Sequence, residues 1–253
     1  MRVIILAAGA GSRLGAITNN IPKPLIEING KSMIERQIEL FRKNDISDIV
    51  ITTGSKKEKF TIKDVSYVHD AEFNSHDQLG SLMASRQKIS GDVIILFADL
   101  LFEENIVKQI LESNTDIGIA VEENWRKSYS ERPDRDQAAK VSIKNGKVIS
   151  ISEKYASVDA EKVVEFIGII KLSSKGSEIL KEKYQELETN HEGVFNDAKS
   201  LNKGKLTDLL QELIKSNFEI DPIVVNGKWC EVDTPNDLEI AKTLFYYSYK
   251  IHS

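Results

Sequence analysis

The chain has 253 residues, 34 Lys and Arg against 39 Asp and Glu, and a formal net charge of −5 at pH 7. This balance argues against general nucleic-acid binding, which needs a basic excess, and a single cysteine, Cys230, excludes a disulfide framework and a cysteine-based zinc site. The run Val3–Ala8 stops after six residues, far short of the ~20 that cross a bilayer or of a signal-peptide pattern, so a soluble, cytoplasmic protein is expected.

Short apolar runs alternate with helical patterns. Val3-Ile4-Ile5-Leu6 reads as a buried strand, too short and too β-branched for a helix. Ser32 and Glu35 have capping-box spacing, and Ile34, Ile38 and Phe41 recur at helical intervals, so a helix is predicted over about 32–43. Strands follow at 49–53 and 65–68, then a helix over 78–88, a strongly apolar strand at 93–97, a helix over about 103–113 and a strand at 117–121. This repetition predicts a mostly parallel sheet covered on both faces.

The second half changes style. Segments 139–144 and 147–152 flank Asn145-Gly146, a strong hairpin signal. A strand at 163–170 comes next, then helices at about 174–187 and 206–216. Short strands at 223–225 and 229–232 flank Asn226-Gly227. Thr234-Pro235 then opens the last helix, with Thr as N-cap and Pro at the first helical position. The one long loop candidate is 122–137, polar and rich in Arg, Asp and Ser.

The first constellation with chemical content is Leu6-Ala7-Ala8-Gly9-Ala10-Gly11-Ser12-Arg13-Leu14, followed by Pro22-Lys23-Pro24. A dinucleotide fingerprint needs a helix running on from the glycines, and Pro22 and Pro24 forbid a long one. Gly30-Lys31-Ser32 is not a P-loop, because Leu25 stands where that motif starts with glycine. The remaining functional reading is a loop whose backbone N–H groups wrap a triphosphate, with Arg13 and Lys23 supplying charge. An ordinary turn with surface cations would explain a lone Gly-x-Gly, but not the added Arg and Pro-Lys-Pro.

These residues resemble the signature of the nucleotidyltransferase family of nucleotide-sugar and related pyrophosphorylases, and every position of it is present. The resemblance implies a Rossmann-like α/β/α sandwich with a mixed, mainly parallel central sheet and a small β insertion on the acceptor side. It implies a single domain, with a nucleotide-binding half at about 1–121 and an acceptor-binding half at about 122–253. The implied reaction joins a nucleoside triphosphate to a phosphorylated acceptor and releases pyrophosphate.

The same resemblance assigns roles. Asp99, after the strand at 93–97, and Asp233, in Glu231-Val232-Asp233-Thr234-Pro235, become Mg2+ ligands. Read alone, Asp99 stands at the carboxyl end of a buried strand, where ligands bind in open α/β sheets, with a helix-capping acid as the alternative, and Asp233 reads as a helix-start acid. Gln78, Gly80 and Ser81 match a base-recognition element in which the glycine admits the nucleobase. Lys154, Lys140, Glu165 and Gly168 match acceptor contacts, although a lone lysine is usually a solvated charge. Trp125, Arg126, Tyr129 and Arg132, together with Trp229-Cys230-Glu231-Val232-Asp233, look most like the branch of phosphocholine and aminoethylphosphonate cytidylyltransferases. In that branch Trp125 and Tyr129 would suit a cationic head group, or Trp125 would simply pack the loop.

The expected partners are therefore CTP and a small phosphorylated or phosphonylated acceptor, with no nucleic acid and no membrane; a homodimer remains open. Arg13 would hold the β- and γ-phosphates and Lys23 the α-phosphate, while Leu6, Ala7, Ala8, Gly9, Gly11 and Ser12 would line the nucleotide. The rivals are a sugar-1-phosphate nucleotidyltransferase using UTP or dTTP, and an inactive nucleotide-binding regulatory subunit.

Overall fold

The structure, a computed structural model, describes residues 1–9, 11–125 and 138–246. In chain order its strands are β1 (Arg2–Ala7), β2 (Glu27–Ile28), β3 (Lys31–Ser32), β4 (Ile49–Thr53), β5 (Ser66–His69), β6 (Val93–Phe97), β7 (Leu100–Phe102), β8 (Ile117–Glu122), β9 (Lys140–Lys144), β10 (Lys147–Ser152), β11 (Lys162–Leu172), β12 (Asp221–Val224) and β13 (Trp229–Glu231). The helices are α1 (Met33–Lys43), α2 (Gln78–Ala84), α3 (Glu104–Glu112), α4 (Ser174–Asn190), α5 (Leu206–Lys215) and α6 (Pro235–Leu244).

A nine-stranded mixed sheet runs β10-β9-β11-β6-β1-β4-β5, with β8 pairing both β11 and β12. Strands β6, β1, β4 and β5 are parallel, and β11 enters antiparallel to β6. Alternation along β1 shows why both faces are covered. Ile4 and Leu6 join one core with residues of α2, α4 and α5, whereas Val3, Ile5 and Ala7 join the opposite core with residues of α1 and α3. Each fully buried Ile, Leu or Phe in these layers contributes about 1.5–3 kcal/mol.

The capping box of α1 forms as the spacing predicts: the Ser32 hydroxyl accepts from Glu35 N–H, and Glu35 accepts from Ser32 N–H. Thr234 and Asp237 make the same box on α6, with Pro235 at its first position. The helix expected over 78–88 is shorter. It ends at Ala84 because Ser85 leaves the helical conformation, its hydroxyl 2.6 Å from Thr52 Oγ1, and residues 86–88 form a 3-10 turn. Strands β2, β3 and β7 were not anticipated; two or three residues are too few for a period to show. Strand β11 has a register shift between Phe166 and Ile170, where Gly168 has φ +82°.

Candidate active site

Strand β1 delivers the glycine loop to the end of the sheet where the parallel strands finish, the usual ligand position in open α/β folds. Residues 12–18 then form two short 3-10 turns separated by a kink at Gly15 (φ +57°) instead of a long α-helix. Gly11 takes φ +65°, and a Cβ there would lie 2.9 Å from Lys23 Cβ. The glycine thus makes room for Lys23, which Pro22 and Pro24 hold in a second 3-10 turn over 23–25.

Lys23 is 7% exposed. Its Nζ lies 2.6 Å from Asp99 Oδ2 and 2.5 Å from Asp233 Oδ1. Arg13, with 55% of its side chain exposed, reaches the same Asp233 oxygen at 2.8 Å. Antiparallel pairing of β7 with β13, closed by Val232 N–H donating to Asp99 O at 3.0 Å, brings the two aspartates together across the fold. Asp237 Oδ2 accepts from the N–H groups of Asp233 and Thr234, so the helix cap also anchors the Asp233 backbone.

Glu231 is a third carboxylate in this group. Oxygens of Asp99, Glu231 and Asp233 all lie within 4.8 Å of one another. Burial first, then the Asp99 and Asp233 carboxylates, push the Glu231 carboxyl up to about 8, with Lys23 and Arg13 pulling the other way. Burial alone would lower the Lys23 ammonium, but the carboxylates of Asp99 and Asp233 outweigh it and hold the group above its ordinary value. Three oxygen donors in one place, with Asp99 Oδ1 buried and without a hydrogen-bond partner, fit a hard divalent cation. Glu231 was missed in the sequence, although its i, i+2 spacing from Asp233 puts both on one face of an extended chain.

Arg13, Lys23, Asp99 and Asp233 open into a cleft of about 400 Å3. Of the expected nucleotide contacts, Leu6, Ala7, Ala8, Gly9, Gly11, Ser12 and Arg13 line it, as do Gln78 and Ser81. Lys23, Asp99 and Asp233 complete the wall, with Phe73, His76, Asp77 and Phe97, which no spacing in the sequence pointed to. Gly80, expected beside the base, is not among the residues lining the cleft; a Cβ there would meet the His76 ring at 2.3 Å, so the glycine accommodates that imidazole.

Of the expected acceptor contacts, Trp125, Lys140, Lys154, Glu165 and Gly168 are not among the residues lining this cleft. Trp125 is 6% exposed, packs with Ala138 and Val163, and donates from Nε1 to Val163 O at 3.3 Å. An indole in a polar loop gains more from burying its apolar area than from standing open to a ligand. Lys140 Nζ donates to Glu153 O at 3.1 Å, and Lys154 Nζ donates to Asp197 O at 2.7 Å. Glu165 is buried in register with Lys140 and Glu122 on the flanking strands. Gly168 lies in the bulge of β11 against the Phe97 ring. Arg126, Tyr129 and Arg132 lie outside the described residues. Among the described residues, no helix is long and apolar enough to cross a membrane.

The family model of the MobA-like NTP transferase domain matches residues 3–139. The chain is 27% identical over 255 residues to a CTP:phosphoglutamine cytidylyltransferase of Campylobacter jejuni, covering 95% of this chain and 98% of that one. It is 31% identical over 174 residues to a choline-phosphate cytidylyltransferase of Streptococcus pneumoniae, covering 66% of this chain and 75% of that one. Its fold is similar to the solved CTP:phosphocholine cytidylyltransferase from Streptococcus pneumoniae, with a TM-score of 0.72 at 20% identity over 96% of this chain and 98% of that one.

Proposed function

The chain belongs to the MobA-like NTP transferase family, and from that premise we propose that it is a Mg2+-dependent cytidylyltransferase moving CMP from CTP to a small phosphorylated or phosphonylated acceptor. The observation that carries this reading is Lys23, held between Asp99 and Asp233 on the wall of the cleft formed by the glycine loop. The choice of CTP is supported by the two relatives named for CTP- and choline-phosphate-dependent cytidylyl transfer.

The acceptor oxygen attacks the α-phosphorus in line. One P–O bond forms, the bond to the bridging α–β oxygen breaks, and pyrophosphate leaves. A phosphomonoester is already largely ionised near neutrality, its second pKa being about 6, so no general base is needed. Catalysis is then positioning and charge stabilisation. The glycine loop wraps the triphosphate, Arg13 holds the β- and γ-phosphates, and Lys23 stabilises charge building at the α-phosphate. Asp99, Asp233 and Glu231 would hold Mg2+, which when bound supplies positive charge against the triphosphate oxygens.

Pyrophosphate release measured with each of four nucleoside triphosphates against a panel of phosphorylated acceptors tests the reading. CTP with a small acceptor should be fastest. Faster turnover of glucose-1-phosphate with UTP or dTTP would replace it with the sugar-nucleotide alternative, and no turnover with any pair would favour a regulatory subunit.

A further inference from the structure

A buried carboxylate that the proposed chemistry does not use stands behind the cleft wall. Asp70 is 2% exposed and directly follows β5, where its N–H donates to Thr53 O at 2.9 Å. Its Oδ1 accepts from Glu72 N–H at 3.1 Å and lies 3.0 Å from His76 Nε2. Its Oδ2 accepts from the Ser81 hydroxyl at 2.8 Å. The missing side chain at Gly80 is what lets the His76 ring reach this position over α2.

Ser81 lines the cleft. A serine hydroxyl has one hydrogen and two lone pairs. Here the hydrogen is directed at a buried carboxylate, so toward a ligand Ser81 Oγ offers only lone pairs. Cytosine carries an amino group at C4, a donor, whereas uracil and thymine carry a carbonyl oxygen there, an acceptor.

Building on the nucleotide assignment above, we propose that Asp70 fixes the polarity of Ser81, so that Ser81 Oγ accepts from the exocyclic amino group of the base and turns away bases with a carbonyl at that position. Ser81 is then a specificity-determining contact and Asp70 a positioning residue acting through it. A carbonyl presented to those lone pairs finds no donor and loses its water, which is how a hydrogen-bonding site rejects an analogue of nearly the same shape.

The test is titration calorimetry of CTP and of UTP, each with Mg2+, on the wild type, Ser81→Ala and Asp70→Asn. The ratio of the two dissociation constants does not depend on the fraction of folded protein, so a purely structural defect leaves it unchanged. The wild type should favour CTP by about tenfold or more, and Ser81→Ala should remove most of that preference. In Asp70→Asn the amide can donate to Ser81 Oγ and release its hydrogen toward the cleft. The ratio should then move at least as far toward UTP as in Ser81→Ala. A wild type that prefers CTP while either variant keeps the wild-type ratio overturns the polarity assignment alone. A wild type that prefers UTP overturns the choice of CTP, and this inference with it.

Discussion

Gly11 and Lys23 are packed so closely that a Cβ on the glycine would lie 2.9 Å from Lys23 Cβ. The two motifs that carry the family signature are therefore one steric unit. Gly11→Ala adds both that contact and an unfavourable φ of +65°. Displacing Lys23 by even a fraction of an ångström should lower kcat by up to about 10²-fold. Steady-state kinetics on the folded variant check this; an unchanged kcat would separate the two motifs.

Asp99→Asn and Asp233→Asn should each keep the fold and reduce turnover by about 10²-fold or more, the usual effect of removing one electrostatic catalytic element. Circular dichroism controls for folding, and a Mg2+ titration of the rate reads the metal role. Near-full activity at low Mg2+ in either variant would remove that residue from the metal site.

Lys23→Ala leaves Asp99 and Asp233, beside Glu231, without their shared ammonium. Its melting temperature in EDTA should fall below that of the wild type, and added Mg2+ should raise it by more than it raises the wild type. In turnover assays kcat should fall further than the KM for CTP rises, because charge at the α-phosphate grows in the transition state. A pure KM effect would contradict that role.

Trp125→Ala should be a stability variant. The ring is buried against Ala138 and Val163, and truncating a buried Trp costs about 3 kcal/mol or more. Chemical denaturation should show the loss while the acceptor KM stays within about twofold, well below the effect of a lost cation–π contact. A large, selective rise in acceptor KM would return Trp125 to the acceptor site.

Asp116 binds the start of α4 through Lys175 Nζ at 2.6 Å and Ser173 Oγ at 2.7 Å. The Lys175 contact, then the Ser173 hydroxyl, hold its carboxyl below the ordinary value of 3.8. A carboxylate with a depressed folded-state pKa contributes stability above its unfolded value and loses it as pH falls through the folded one. Asp116→Asn should therefore melt below the wild type near neutrality, with the gap closing in acid. A gap that is constant with pH would assign the effect to packing.

Much of this molecule is legible in its sequence because the signals are local. The β-branched runs of β1, β4 and β6 can only be buried strands, Ser32 with Glu35 and Thr234 with Asp237 announce their own helix starts, and Gly11 with Pro22-Lys23-Pro24 states what the backbone must do. Each is a demand that neighbouring residues make on one another within a few positions. The site itself is different. Asp99 and Asp233 face each other only because β7 and β13 pair across the fold, and no local pattern states which distant segment a three-residue strand will pair with. Glu231, His76 and Asp70 gain their roles from neighbours far along the chain or from a turn. Trp125 could have faced solvent or the protein, and its burial against Ala138 and Val163 is a product of the tertiary packing. Hydrogen-bond polarity at Ser81 likewise belongs to the tertiary structure, because the direction of a hydroxyl is set by whichever buried group the fold places beside it.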